Sequence, residues 1–335
     1  MQTVQVRGRI FNYSKTLGRN ASSGPGFRHP VDMALASDDK TLYVVSRGDE
    51  YMPCQRISVI TTSEEFITEF GTYGENDGQF IWPTAIALDA DDNSYVADEW
   101  LCRISVFDEK GQFLHKWGEK GNEPGQLAGP TGMVFDECGN LYITENLNHR
   151  VQKFSPDGKH LASWGGYGQG SGQFYHPWGI TIDNSNNILV ADWHNHRVQK
   201  FSPDGEHLLT FGGTMGIEDE PPYPSDVAVD SEGDIYVCDW WNHQVIVYDT
   251  DGEYLTTFIG DAEELSNWAQ QSIDANPDYR KGRLMVKDVA QEWRFNRPTT
   301  LAITSDNQIM VAESQRMRIQ VYQKESDWVD PQFNL

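Results

Sequence analysis

Cysteine is scarce: 335 residues hold four, Cys54, Cys102, Cys138 and Cys238, with no C-x-x-C pair among them. That spacing excludes a disulfide scaffold, a zinc ribbon and a dithiol redox motif, and implies reduced thiols. Long apolar runs are missing too. No stretch approaches the ~18 residues that a membrane-spanning helix needs. The opening MQTVQVRGRIFNYSKTLGR has no apolar core of signal-peptide length. The expectation is a cytoplasmic protein, in which the Asn20-Ala21-Ser22 sequon has no role. Basic residues are few, 26 Lys and Arg against 50 Asp and Glu, for a net charge of −24. A chain of this sign repels phosphate backbones and anionic lipid, so neither nucleic acid nor a membrane is expected as a partner. Period-3.6 patterning is absent from most of the chain, which excludes a helical solenoid.

What fills the chain instead is a repeat. Pro83, Pro130, Pro177 and Pro224 follow one another at 47-residue intervals, each opening a similar segment. The copy from Pro177 reads PWGITIDNSNNILVADWHNHRVQKFSPDGEHLLTFG, and weaker copies begin at Pro30 and Pro298. A typical copy holds four short runs rich in Val, Ile, Tyr and Phe, separated by Asp, Asn and Gly turns. Such runs favour strands, and S-P-D-G and D-x-x-G are turn chemistry. Six copies of four strands predict an all-β, six-bladed β-propeller in one domain, residues 1–335. The copy at Pro298 ends at Val321-Tyr322 without a fourth strand. The N-terminal segment Arg9-Ile10-Phe11-Asn12-Tyr13 is expected to supply it, closing the ring and removing open sheet edges. Residues 261–296, between copies five and six, are rich in Glu, Leu, Ala and Gln and predict one or two short helices.

The segment Val190-Ala191-Asp192-Trp193-His194-Asn195-His196-Arg197-Val198 has counterparts in Asn148-His149-Arg150 and Asn242-His243. With the preceding Pro-x-Gly-Ile strand it resembles the NHL repeat, and the resemblance runs from Pro30 to Tyr322. It implies NHL-type blades of four strands. It also makes His149, His196 and His243 turn-and-packing residues rather than ligands.

In a propeller the loops leading into each first strand share one face with the loops that follow each second strand. Two rings of side chains are therefore expected at one axial mouth. The first precedes each repeat proline: His29, Trp82, Gly129, His176, Tyr223 and Arg297. The second follows strand two: Arg47, Glu99, Asn146, Trp193, Trp240 and Ser314. These positions differ from copy to copy while the scaffold stays similar, as expected where a repeat supplies geometry and its loops supply chemistry. His29, His176, Tyr223 and Glu99 are the candidate proton-moving groups. Arg47 and Arg297 are suited to bidentate contacts with a carboxylate or phosphate. Trp82, Trp178, Trp193 and Trp240, with Trp241 and Asn146, would line a binding site. The enlarged loop from Arg47 to Pro53 and the insertion at 261–296 are expected to form a partial lid.

The loop Val45-Ser46-Arg47-Gly48-Asp49 resembles one in the peptidyl-hydroxyglycine amidating lyases, six-bladed propellers that hold zinc with three histidines placed directly after alternate blade prolines. That resemblance makes Arg47 a group for an anion or carbonyl. Here, however, the zinc positions are Thr84, Trp178 and Thr299, the catalytic tyrosine position is Leu147, and that of a second arginine is Trp193. Zinc needs three or four converging ligands, so this lyase activity is not expected and no cofactor is required. Asp32 and Asp226, each two residues after its proline, are a candidate pair for calcium in the channel.

Two readings remain open. One is a small-molecule-binding propeller, an enzyme of lyase, isomerase or hydrolase type working by acid–base action at the mouth. It has neither a nucleophile with an attached base nor a Gly-rich phosphate loop. The other is a protein-interaction platform, because Trp, Tyr and Arg dominate interface energies.

Overall fold

The computed structural model describes residues 3–49, 52–213, 220–288 and 290–325. Each repeat from Pro30 to Phe258 is a four-stranded antiparallel sheet with its strands in sequence order. Blade four shows the pattern, with strands Pro177–Ile182, Ile188–Asp192, Arg197–Phe201 and His207–Gly212. Its second strand is buried along its whole length, because neighbouring blades cover both faces. The outermost strand alternates between covered and exposed residues, as a strand with one wet face should.

The ring closes as the repeat count requires. Arg9–Leu17 pairs antiparallel with Arg318–Lys324, Tyr13 opposite Tyr322, and so becomes the fourth strand of blade six. A further hairpin strand, Thr3–Val6, adds a fifth at the rim. Blade six thus joins the two ends of the chain. Its outer strands are held to blade five by Lys324, whose Nζ lies 2.6 Å from Asp230 Oδ2 and 2.8 Å from Asp234 Oδ2, while Arg9 Nη2 donates to Asp234 Oδ1 at 2.7 Å.

Near the axis the blades are tied by hydroxyl groups. Thr84 Oγ1 donates to the carbonyl of Pro130 (2.7 Å), Thr131 to Pro177 (3.0 Å), Ser225 to Pro298 (3.2 Å) and Thr299 to Pro30 (3.0 Å). In these four blades the residue after the proline therefore links its blade to the next. Val31 and Trp178 hold that position in blades one and four, have no hydroxyl to donate, and line the mouth.

The insertion forms three short helices, Asn267–Ala275, Pro277–Leu284 and Ala290–Trp293, one more than its composition suggested. Ser266 caps the first and donates to the carbonyl of Gly18, and Trp268 packs near Phe27 at the junction of blades six and one. The insertion contributes no residue to the axial cavity among the described residues, so its docked position is not that of a lid over the axis. In the blade-one loop, Glu50 and Tyr51 lie outside the described residues.

Candidate functional site

The mouth is built on a buried acid at the end of the second strand in five blades, with Ser46 at that position in blade one. Asp192 accepts from the backbone N–H of Tyr175 and from Asn195, Arg197 and Gln199. Glu145 holds Ala128 in the same way, Asp239 holds Tyr223, and Glu313 holds Asn296. These four acids and Asp98, which holds Ile81 and Trp82, are fully buried. Each carboxylate replaces lost hydration with several hydrogen bonds and fixes the loop that leads into the proline of its own repeat. Sequence reasoning missed this role. Its signal was the acid recurring in VAD, ITE, VCD and VAE at one repeat position.

The motif histidines pin the same loops from the other side. All three sit in left-handed backbone turns, with φ between 55° and 58°. His149 Nδ1 accepts from the N–H of His176 and His243 Nδ1 accepts from that of Arg297, whereas His196 bonds the Pro222 carbonyl. Burial lowers the pKa of His149, and burial with the charge of Arg297 lowers that of His243, which keeps both ring nitrogens free to accept. They position His176 and Arg297 at the mouth.

The two expected rings meet through backbone hydrogen bonds. Arg47 N–H bonds the carbonyl of His29 (3.4 Å), Glu99 that of Trp82 (3.0 Å), Asn146 that of Gly129 (2.9 Å), Trp240 that of Tyr223 (3.1 Å) and Ser314 that of Arg297 (3.1 Å). Blade four departs by one residue. There His194 bonds Tyr175, because Trp193–Asn195 winds into a single 3-10 turn. Trp193 lies beside Trp178, ring centroids 4.4 Å apart, and 5.9 Å from Trp240.

These three indoles, with Arg47, Val31, Thr84, Ser225 and Thr299, enclose an axial cavity of about 80 Å³. Arg47 lies 4.2 Å above the ring of Trp82, and Arg297 lies 4.4 Å above Trp240. Neither guanidinium has a hydrogen bond or ion pair among the described residues. Burial pushes the Arg47 guanidinium down to about 10, partly offset by the charge of Glu99. Trp193 Nε1 is also buried without a partner among the described residues. The mouth thus presents two unpaired cations, and its cavity wall holds a free N–H donor.

The other candidates divide into groups. Glu99 accepts from Asn146 Nδ2 at 2.9 Å, joining blades two and three. His176 packs against His149 and His194, ring centroids 4.9 Å and 5.1 Å away, and burial followed by the neighbouring imidazole lowers its pKa. It is therefore neutral at pH 7. His29 lies apart, its Nδ1 bonded to the Ser314 carbonyl and its Nε2 3.5 Å from Asp49. Tyr223 packs edge-on against His196 and near Trp241.

The NHL repeat model matches residues 174–201 and 222–248. Two of the six blades thus match the NHL repeat, and the chain as a whole is a six-bladed β-propeller. No curated protein matches its sequence. Among solved structures, virginiamycin B lyase from Staphylococcus aureus is similar to it in fold, with a TM-score of 0.58 and 12% identity over 93% of this chain and 99% of that one. A protein of unknown function from Bacteroides thetaiotaomicron gives 0.62 and 18% over 95% and 76%. A chain of a nidogen/laminin complex gives 0.54 and 21% over 76% and 91%. At these identities the likeness is one of fold.

Deeper in the channel of the propeller lie Asp32 and Asp226. Asp32 accepts from the N–H groups of Met33 and Ile86 and from Thr300 Oγ1, and Asp226 accepts from Leu301 N–H. Gly179 makes room for the pair, since a Cβ there would lie 2.2 Å from Asp226 Oδ1. Calcium takes six to eight oxygens, and no cluster of three His, Cys, Asp or Glu suited to a metal occurs among the described residues. Burial and the charge of Asp226 push Asp32 up to about 8, and burial pushes Asp226 up to about 6. The folded protein holds protons that the unfolded chain releases above pH ~4. Stability from this pair is therefore greatest in acid and falls as pH rises toward 8. Asp226→Asn is expected to gain about 1–3 kcal/mol at pH 8, at ~1.4 kcal/mol per pKa unit, with no gain at pH 4. Urea unfolding at the two pH values checks this, and a difference independent of pH would refute it.

Proposed function

We propose that this propeller binds a small molecule at its axial mouth by an anionic group, a carboxylate or phosphate. There it performs acid–base chemistry of lyase, isomerase or hydrolase type. The observation that carries this reading is the pair of arginines, Arg47 and Arg297, stacked on Trp82 and Trp240 without hydrogen-bond or ion-pair partners among the described residues. In a chain of net charge −24, carboxylates are abundant, yet among the described residues none forms an ion pair with either guanidinium. Desolvating an arginine without pairing it costs free energy, which a ligand carboxylate or phosphate recovers through a bidentate contact. Neutral His176 is the group fitted to accept a proton, and Glu99, fixed by Asn146, is the nearby acid.

A second reading is favoured by the exposed aromatics Trp100 (69%), Tyr167 (67%) and Trp241 (53%), which suit a protein partner. Propellers of similar fold include both a lyase and a chain of a nidogen/laminin complex. Thermal melting separates the readings. Acetate, benzoate and phosphate are expected to raise the midpoint saturably, while ethylamine and benzylamine at matched ionic strength leave it unchanged. Equal responses to anions and amines, or none to either, would sink the anion-binding mouth.

A further inference from the structure

The axial cavity is too small for a whole ligand. At about 80 Å³ it falls below the ~300 Å³ at which small-molecule pockets begin. A head group fits there and the rest of a molecule does not. Beside it lies a groove of about 490 Å³ lined by Trp82, Glu99, Trp100, Cys102, Lys120 and Leu147. Its exposed walls are apolar: Trp82 is 41% exposed, Leu147 56% and Trp100 69%. Trp82 connects the two spaces, because it lines the groove and carries 4.2 Å above its ring the guanidinium of Arg47, which lines the cavity.

We infer that the ligand is an amphipathic anion, a carboxylate or phosphate joined to a flat apolar group, with its charge at Arg47 and its apolar body in the groove against Trp82, Trp100 and Leu147. This rests on the anion-binding reading of the mouth and adds the chemistry of the remainder. The charges favour an anion over a cation. Glu99, the acid in the groove, already accepts from Asn146, whereas Arg47 has its charge to offer. Two indoles in the walls favour a ring system, which stacks at little cost in conformational freedom.

Indole fluorescence titrations with 2-naphthylacetate and acetate test the assignment. Wild-type protein is expected to bind 2-naphthylacetate at least tenfold more tightly than acetate. Leu147→Ser, a neutral change at an exposed position, is expected to reduce that advantage severalfold by weakening 2-naphthylacetate more than acetate. Trp100→Ala should act in the same direction. Equal affinity of the wild type for the two anions, or Leu147→Ser and Trp100→Ala proteins that both keep the advantage, would overturn the groove's role and leave its indoles to a protein partner. Binding of neither anion would instead remove the anion-binding mouth itself, and the inference with it.

Discussion

Replacing Lys324 with methionine is expected to cost about 3–5 kcal/mol of stability, the range for removing one partner of a buried ion pair. Lys324 is 1% exposed, and its ammonium lies between Asp230, Asp234 and Glu232. Burial alone would lower its pKa, but hydrogen bonds to these carboxylates raise it. Its contribution is therefore present throughout the neutral range and is lost in strong alkali, where the ammonium deprotonates, and in acid, where the partner carboxylates are protonated. The pairing explains how the ring stays shut. In blades three and four the turn acid is satisfied within its own blade, Asp136 by Lys153 and Asp183 by Lys200. In blade five the corresponding position is Val247, and the cation comes from the last strand of blade six. Methionine keeps the length of the side chain and strands Asp230 in a dry site. Chemical denaturation checks the result. A loss below about 1 kcal/mol would place the latch in the ordinary class of exposed pairs. Adding Asp230→Asn to Lys324→Met is expected to recover part of the loss, because it removes the stranded charge.

Replacing Arg47 with methionine is expected to separate binding from stability. A hydrogen bond to a charged group contributes about 1.5–3 kcal/mol, so affinity for a carboxylate should fall about 10- to 100-fold. The folded protein should be as stable as wild type or more so. In the absence of a ligand the guanidinium lies over Trp82 at the edge of the cavity that Trp178 and Trp193 line, and burial already lowers its pKa. Methionine fills similar space without that cost. A residue held at a cost to the fold is expected where binding needs it. A Lys324→Met protein should show the opposite split, weaker folding with an unchanged mouth.

Much of this architecture was legible because repetition multiplies weak signals. A single Asp-Gly turn or Val-rich run is ambiguous, but the 47-residue spacing from Pro83 to Pro224 fixed blade boundaries, and the missing fourth strand after Tyr322 pointed to Arg9–Tyr13. The pairing of the two mouth rings followed from the same phase, while the structural role of His149, His196 and His243 followed from the resemblance to the NHL repeat. What stayed hidden lies where one blade departs from the others. The 3-10 turn at Trp193 shifts blade four by one residue, which no local pattern announces. Lys324 reads as an ordinary terminal lysine, since its partners lie 90 and 94 residues away. Trp100 and Leu147 fall one residue past Glu99 and Asn146 in the second ring, and only the packed loops turn them into the walls of one groove.

The central claim is that the mouth captures an anion through Arg47. Its most direct test is a titration of wild-type and Arg47→Met proteins with acetate at pH 7 and constant ionic strength, followed by indole fluorescence. The mouth reports on itself, because Trp82, Trp178, Trp193 and Trp240 surround or adjoin the cavity. The account predicts a saturable change in wild type and at least tenfold weaker binding in a variant that melts no lower. Equal binding by the two proteins would contradict it.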